Sequence, residues 1–216
     1  MYREINKNSF LELFPDVSRE TLELLSLYSE LILKWQKKIN LIAAETIPHL
    51  WQRHIYYAAQ IFLHYKTEGC WLDLGSGAGF PGIVVAIFLK NKPNSFVHLV
   101  ESNHKKSAFL QQVVNQLNLR AQIHCKRIEK LPLINPRPDF ITARALTSLS
   151  NLLKYGEKWF KKGAKGLFLK GESYSLEIEE ALLYWDFKVK SYVSCTEKKA
   201  VLLELKDIKR KLNAGR

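Results

Sequence analysis

The chain has 216 residues, 47% of them hydrophobic, and carries 33 Lys and Arg against 21 Asp and Glu, for a net charge of +12 and a pI near 9.5. That length and apolar content exclude a disordered chain and allow one domain with an appendage around a sizeable core. The longest apolar run, residues 83–89, is too short to span a bilayer, and the start of the chain lacks the apolar centre and cleavage site of a secretory signal, so a cytoplasmic protein without a membrane segment is expected.

Ser18 is placed to cap a helix whose apolar positions Leu22, Leu25, Leu31 and Ile32 recur at helical spacing, and Lys37 and Lys38 suit its C-terminus. Residues 39–42 are too apolar for a free loop and are expected to lie against the body. Thr46 is read as the cap of a second helix, with Pro48 in its first turn and Trp51, Ile55, Ala59 and Phe62 along it. From Gly69 onward strands and helices alternate. Strands are expected over 70–74, 96–101, 121–125, 138–143, 165–170, 187–194 and 199–205, and helices over 81–90, 104–117, 148–159 and 173–184. Such alternation implies a parallel sheet with right-handed crossovers. The short link Thr196-Glu197-Lys198 forces the last two strands antiparallel. The predicted fold is therefore α/β: a Rossmann-like, mostly parallel seven-stranded sheet ending in an antiparallel hairpin, the layout of class I methyltransferases. Residues 1–66 form an N-terminal helical extension packed on the core, 67–206 the core, and 207–216 a basic, frayed tail.

The stretch Asp73-Leu74-Gly75-Ser76-Gly77-Ala78-Gly79-Phe80-Pro81-Gly82 carries the chemistry. An apolar strand ends in an acid, turns through Gly75, Gly77 and Gly79, and enters a helix at a proline. Glycines let the backbone turn tightly and leave its face bare for a flat ligand, and the end of a parallel strand is where such sheets bind ligands. Gly77 to Gly82 also matches the dinucleotide fingerprint, with Glu101 nineteen residues beyond Gly82 as a candidate for a ribose diol. Two features favour S-adenosyl-L-methionine over a dinucleotide. Pro81 has no N–H to give a pyrophosphate, and a carboxylate at Asp73 repels phosphates but attracts an ammonium and a sulfonium. Glu101 closes the second strand and can accept from both ribose hydroxyls. After the third strand, Ile128 is placed to pack on the adenine and Glu129 to reach its polar edge.

Arg144 follows the strand through Phe140 and opens toward the reacting centre. Its fork suits guanine O6 or a phosphate, with Asp139 or Glu129 as structural partners in the alternative. Lys170, at the end of the next strand, either faces the cleft or is solvated. His54 reads as a packed helix residue, and Trp35, Trp51 and Trp71 as core. The histidines show no metal spacing, and Cys70, Cys125 and Cys195 are too scattered for a disulfide framework or a zinc site.

These residues resemble the glucose-inhibited division protein B family, the bacterial small-subunit ribosomal RNA methyltransferases G. The likeness runs in order along nearly the whole chain: Asn40-Leu41, Arg53-His54, the glycine loop with its Phe-Pro-Gly, Glu101-Ser102, Lys105, Arg127-Ile128-Glu129, Arg144-Ala145 and Leu169-Lys170-Gly171. It implies methylation of guanine N7 in 16S rRNA of the small ribosomal subunit with S-adenosyl-L-methionine; a monomer without a metal is the separate expectation. Gly75, Phe80, Ile128, Glu129 and Arg144 would then line the cofactor site, and Lys105 and Arg127 would stand near the same cleft, where with Lys170 they are candidate RNA contacts. Tyr57-Ala58 departs from the family's usual Asp-Ser. The net charge agrees with a polyanionic partner, nucleic acid or an acidic membrane face. The rival readings are a methyltransferase for small molecules or proteins, a dinucleotide oxidoreductase, and a non-catalytic RNA-binding protein.

Overall fold

In the computed structural model, which describes residues 7–194 and 199–211, strand β1 (Cys70–Leu74) is buried at all five positions. A run of Cys-Trp-Leu-Asp-Leu with no polar alternation can only be a strand covered on both faces. It is the third strand of one seven-stranded sheet ordered β3-β2-β1-β4-β5-β7-β6, built with β2 (Phe96–Glu101), β3 (Ala121–Cys125), β4 (Phe140–Arg144), β5 (Lys165–Lys170), β6 (Trp185–Val193) and β7 (Val201–Arg210). The first five strands in chain order are parallel to one another, whereas β7 runs antiparallel to both β5 and β6. Because β1 pairs with β2 on one side and β4 on the other, the order reverses beside it. That reversal splays the loops at the carboxyl ends apart and leaves a crevice.

Helices cover both faces. On one, α2 (Arg19–Gln36), α5 (Gly82–Phe88) and α6 (His104–Gln116) share a core that joins Leu25, Tyr28 and Ile32 to Trp71, Ile83 and Phe109. On the other, α7 (Leu149–Phe160) and α8 (Tyr174–Leu182) pack Leu152, Leu153, Trp159 and Ala181 against Ile141, Phe168 and Leu203. Ser18 caps α2 as expected, its hydroxyl accepting the Thr21 amide at 3.1 Å. An additional short helix, α1 (Lys7–Leu13), stacks Phe10 on Phe14 with centroids 4.8 Å apart.

Three expectations differ from the fold. Thr46 does not cap a regular second helix. Residues Ala44–His49 form a 3-10 turn with Pro48 inside, followed by a wide π-helical turn over Trp51–Tyr56 and two short pieces, α3 (Tyr57–Ala59) and α4 (Ile61–His64). The β4 strand begins at Phe140 rather than 138, since Pro138 has no N–H for the ladder. The chain is not frayed from Asp207: β7 continues to Arg210, pairing it with Trp185 across a bulge near Asp186 and Lys188. The link Thr196-Glu197-Lys198 and Cys195 lie outside the described residues.

The first residue of α5 sits directly over β1. A Cβ at Gly82 would stand 2.7 Å from Asp73 Oδ2 and 2.8 Å from Leu99 Cδ2. Gly82→Ala is therefore expected to destabilise the protein by about 1–3 kcal/mol through overpacking. An unchanged urea midpoint would show that α5 can slide off β1 without loss.

Candidate active site

The turn between β1 and α5 passes through Gly75, Gly77 and Gly79 with φ of +67°, +56° and +99°. At Gly79 no other residue fits: a Cβ would lie 2.5 Å from Ile83 Cγ1 and 2.8 Å from Tyr28 Oη. The turn is clamped by neighbours. Tyr28 of α2 donates its hydroxyl to the Ala78 carbonyl at 2.6 Å, and the Gly77 amide donates to Glu101 Oε2 at 2.9 Å. Glu101 Oε1 accepts the Asn103 amide at 2.7 Å. Asn103 in turn caps α6, its side chain accepting the Lys105 and Lys106 amides.

A cavity of about 540 Å³ opens above the turn, at the carboxyl ends of β1 to β4. Its wall includes Gly75, Gly77, Phe80, Glu101, Arg127, Ile128, Glu129 and Arg144, all named from the sequence. It also includes residues that sequence reasoning did not single out as cleft groups, among them Leu41, Ser102, Lys106, Lys126, Leu146, Thr147 and Tyr155. Ile128 and Glu129 sit on a single 3-10 turn over Ile128–Lys130, which presents an apolar and an acidic side chain together. Burial and the neighbouring Glu129 push the Tyr155 hydroxyl up from its usual range.

Asp73 is not on the wall. It is 1% exposed, beneath the turn; Oδ1 accepts the Thr142 hydroxyl at 2.7 Å, while Oδ2 lies against Gly82 without a hydrogen bond of normal geometry. Burial raises its carboxyl to about 6, against the opposing pull of Thr142, Ser76, the Gly82 amide and Arg144. The expected direct attraction between Asp73 and a cofactor cation is thus replaced by a supporting role: the carboxylate holds β4 and the start of α5 around the turn.

Arg144 projects into the cavity from the end of β4, its guanidinium 4.8 Å from the centre of the Phe80 ring. One Nη donates to the Arg53 carbonyl at 3.1 Å, and the other lies 2.7 Å from His54 Nδ1. The asymmetry of the network fixes the histidine tautomer. Thr46 spends its proton on the Ala43 carbonyl at 2.7 Å, so its oxygen accepts from His54 Nε2 at 2.8 Å, which leaves Nδ1 to accept from Arg144. Burial, then the charges of Arg144 and Arg53, depress His54 to about 3, so it is neutral at any physiological pH. His54 therefore belongs to the site, through Arg144, and the π-helical turn is what brings the Arg53 carbonyl and the His54 ring to one guanidinium. Asp139, considered as a partner for Arg144, instead accepts the Cys70 amide at 2.9 Å.

Three other named residues stand off the cavity. Gly79 shapes the turn from behind. Lys105 is exposed on α6 with its side chain away from the wall, and Lys106 takes the place expected of it. Lys170 is 7% exposed, and its ammonium is bound to Glu177 Oε2 at 2.6 Å and the Thr147 carbonyl at 2.7 Å. It fastens the loop after β4 to α8 and is not an available RNA contact. Tyr57, where Asp-Ser was expected, donates to the Lys170 carbonyl at 2.9 Å and is structural. Among the described residues no group of three His, Cys, Asp or Glu could hold a metal ion, and no helix is long and apolar enough to cross a membrane.

The sequence model of the family GidB, described as rRNA small subunit methyltransferase G, matches residues 21–204. The chain belongs to this family. A ribosomal RNA small subunit methyltransferase G of Bartonella bacilliformis is 44% identical over 199 residues, 92% of this chain and 93% of that protein. One of Brucella canis is 41% identical over 211 residues, 98% of this chain and 99% of the relative. At the level of fold, a SAM dependent methyltransferase from Aquifex aeolicus superposes with a TM-score of 0.58 at 15% identity, covering 73% of this chain and 93% of its own. M. jannaschii TYW2, solved in complex with AdoMet, does so at 0.53 and 12% identity, covering 81% and 80%. The fold is thus that of SAM-dependent methyltransferases.

Two outcomes follow for this member of the methyltransferase G family. The folded Asp73 carboxyl titrates at about 6 and the unfolded one at 3.8, so the native state holds the proton more tightly and stability falls as pH rises through that window. The loss is on the order of 3 kcal/mol. Urea unfolding of Asp73→Asn should lack this fall, shifting the difference from wild type in the variant's favour between about pH 4 and pH 6; parallel profiles would refute the strained carboxylate. His54→Ala should lower kcat about 10- to 100-fold by releasing Arg144. His54→Asn, whose Oδ1 can occupy the place of Nδ1, should recover part of it. Equal kcat in all three proteins would assign His54 to packing alone.

Proposed function

We propose that this protein transfers a methyl group from S-adenosyl-L-methionine to N7 of a guanine in 16S rRNA of the small ribosomal subunit. The observation that carries this reading is the cavity at the sheet's reversal point, with the bare glycine turn as floor, Glu101 and Glu129 at its sides and Arg144 at its mouth, in a chain that belongs to the methyltransferase G family.

The residues present suit the cofactor. At Gly77 a Cβ would meet only the Gly75 carbonyl at 3.9 Å, so the space it would fill opens into the cavity and admits a flat nucleoside against the backbone. Glu101 spends one lone pair of each oxygen on the Gly77 and Asn103 amides, and a carboxylate has about four acceptor sites, so both ribose hydroxyls can still donate to it. Ile128 would pack on the adenine, and Glu129, on the same turn, would stand at its edge. A dinucleotide suits the cavity less well, because Pro81 at the entry to α5 has no N–H to give a pyrophosphate.

When bound, the cofactor supplies an electrophilic methyl on sulfur, and the lone pair of guanine N7 forms the new N–C bond as the S–C bond breaks, leaving S-adenosylhomocysteine and a cationic base. N7 carries no proton, so no general base is needed. The protein's contribution is placement and exclusion of water. Phe80 and the Leu146–Thr147 loop close the sides, and Arg144, a fixed donor fork, orients guanine O6 or an adjacent phosphate. His54 and Arg53 hold that fork in one orientation, so its ordering is completed before the RNA arrives.

Mass spectrometry of 16S rRNA from cells with and without the protein should show one N7-methylguanosine that depends on it. Purified Arg144→Ala should lose at least 100-fold in methyl incorporation into small-subunit RNA with an unchanged circular dichroism spectrum. Near-normal turnover would mean that the arginine is structural.

A further inference from the structure

We infer that the groove between the C-terminal end of α7 and the end of β7 is a second phosphate-binding surface for the RNA, at the opposite end of the sheet from the cofactor cavity. The inference rests on the RNA reading above and extends it to a surface that the chemistry does not use.

The groove has a volume of about 860 Å³, larger than the cofactor cavity. Lys165, at the start of β5, lines it, whereas Lys170, at the end of the same strand, binds the Thr147 carbonyl of the cofactor cavity's wall. The length of β5, roughly 20 Å, therefore separates the two. Six cations line the groove, Lys161, Lys165, Lys206, Lys209, Arg210 and Lys211, against two carboxylates, Glu157 and Asp207. The cofactor cavity has four cations against two carboxylates, so the remote groove is the more positive of the two.

Pairing within the fold does not account for this charge. Lys161 binds Glu157, Lys206 binds Glu204, Lys211 lies 3.7 Å from Asp186, and Asp207 is taken by Lys188 at 2.8 Å. Lys209 and Arg210 have no ion pair among the described residues, and Lys165, which has none either, lies 5.9 Å and 5.8 Å from the centres of the Tyr65 and Phe140 rings. The backbone brings them together. A regular strand would send alternate residues of 206–211 to opposite faces. The bulge opposite Asp186 and Lys188, with Asp207 in the left-handed region at φ +54°, breaks the alternation. Ile208 turns into the core, and every residue from Lys206 to Lys211 borders the groove. A backbone irregularity that gathers unpaired cations in a concave surface lowers stability by like-charge repulsion, and a polyanion offsets it. A groove of this kind suits a phosphate backbone, which is contacted by shape and charge without base readout. An RNA stem that delivers one base to the cavity can lay its backbone along this second surface.

The test uses Lys209→Glu/Arg210→Glu, both exposed positions, with Lys209→Gln/Arg210→Gln as a milder pair and thermal melting to confirm folding. Small-subunit RNA binding should weaken about tenfold or more in the Glu pair and less in the Gln pair. In the Gln pair, the slope of log affinity against log salt should become shallower by about two. The KM for RNA should rise, while affinity for S-adenosylhomocysteine stays at the wild-type value. Unchanged RNA affinity and salt slope would overturn the inference and make the groove a solvated face. Overturning it equally would be a loss seen only on vesicles of anionic phosphatidylglycerol and not on RNA. Failure of the wild-type protein itself to bind or methylate small-subunit RNA would instead overturn the function on which the inference rests.

Discussion

A turn in which every second residue is glycine has few side chains with which to hold its own shape, so beyond the Ser76 hydroxyl on the Asp73 carbonyl the turn after β1 is held from outside. Tyr28 pins the Ala78 carbonyl from the N-terminal helix, Glu101 pins the Gly77 amide from β2, and the Asp73–Thr142 bond ties β1 to β4 underneath. Each clamp comes from a different part of the chain. The N-terminal helices are accordingly part of the active-site architecture, since α2 supplies one clamp and the π-helical turn supplies the partners of Arg144. Preorganisation here means backbone geometry fixed by buried hydrogen bonds, with little left to order when ligands bind.

The polar groups under and beside the cavity are unevenly satisfied, and the imbalance is informative. Asp73 is buried with one oxygen unbonded, while Arg144 sits among neutral acceptors and an aromatic ring. The Arg53 carbonyl and the His54 imidazole hold the guanidinium without bringing a charge of their own. The depressed His54 is thus a consequence of the same design: its neutrality is what lets it accept from a cation.

Much of this was legible from the residues. The strands at 70–74, 96–101, 121–125 and 165–170 match their observed bounds; for all but the edge strand β3 the reason is that buried parallel strands are short apolar runs between turn residues. The same property hid the phase. Where every residue of β1 is buried, no alternation tells which way Asp73 points, and a strand-end acid reads equally as ligand or as support. Lys170 was obscured for the same reason at the end of β5. Lys105 and Lys106 differ by about 100° around a helix, which a pair of adjacent lysines does not reveal. Thr46 carries the signature of a helix cap, yet its hydroxyl is engaged by His54 in a turn too wide for a regular helical period. That a histidine eight residues further on would meet an arginine ninety residues later is a tertiary fact with no local signal.

The position of β7 has a consequence for how the molecule comes into being. The strand made last of the seven is not at the rim of the sheet but inserted between β5 and β6, with Leu203 and Leu205 fully enclosed. Until it emerges during synthesis, β5 presents an open hydrogen-bonding edge and the α7 side of the core lacks one of its walls. Consolidation of the native state is thereby coupled to the emergence of β7, and a polypeptide that lacks this strand exposes a sheet edge and an open side of the core.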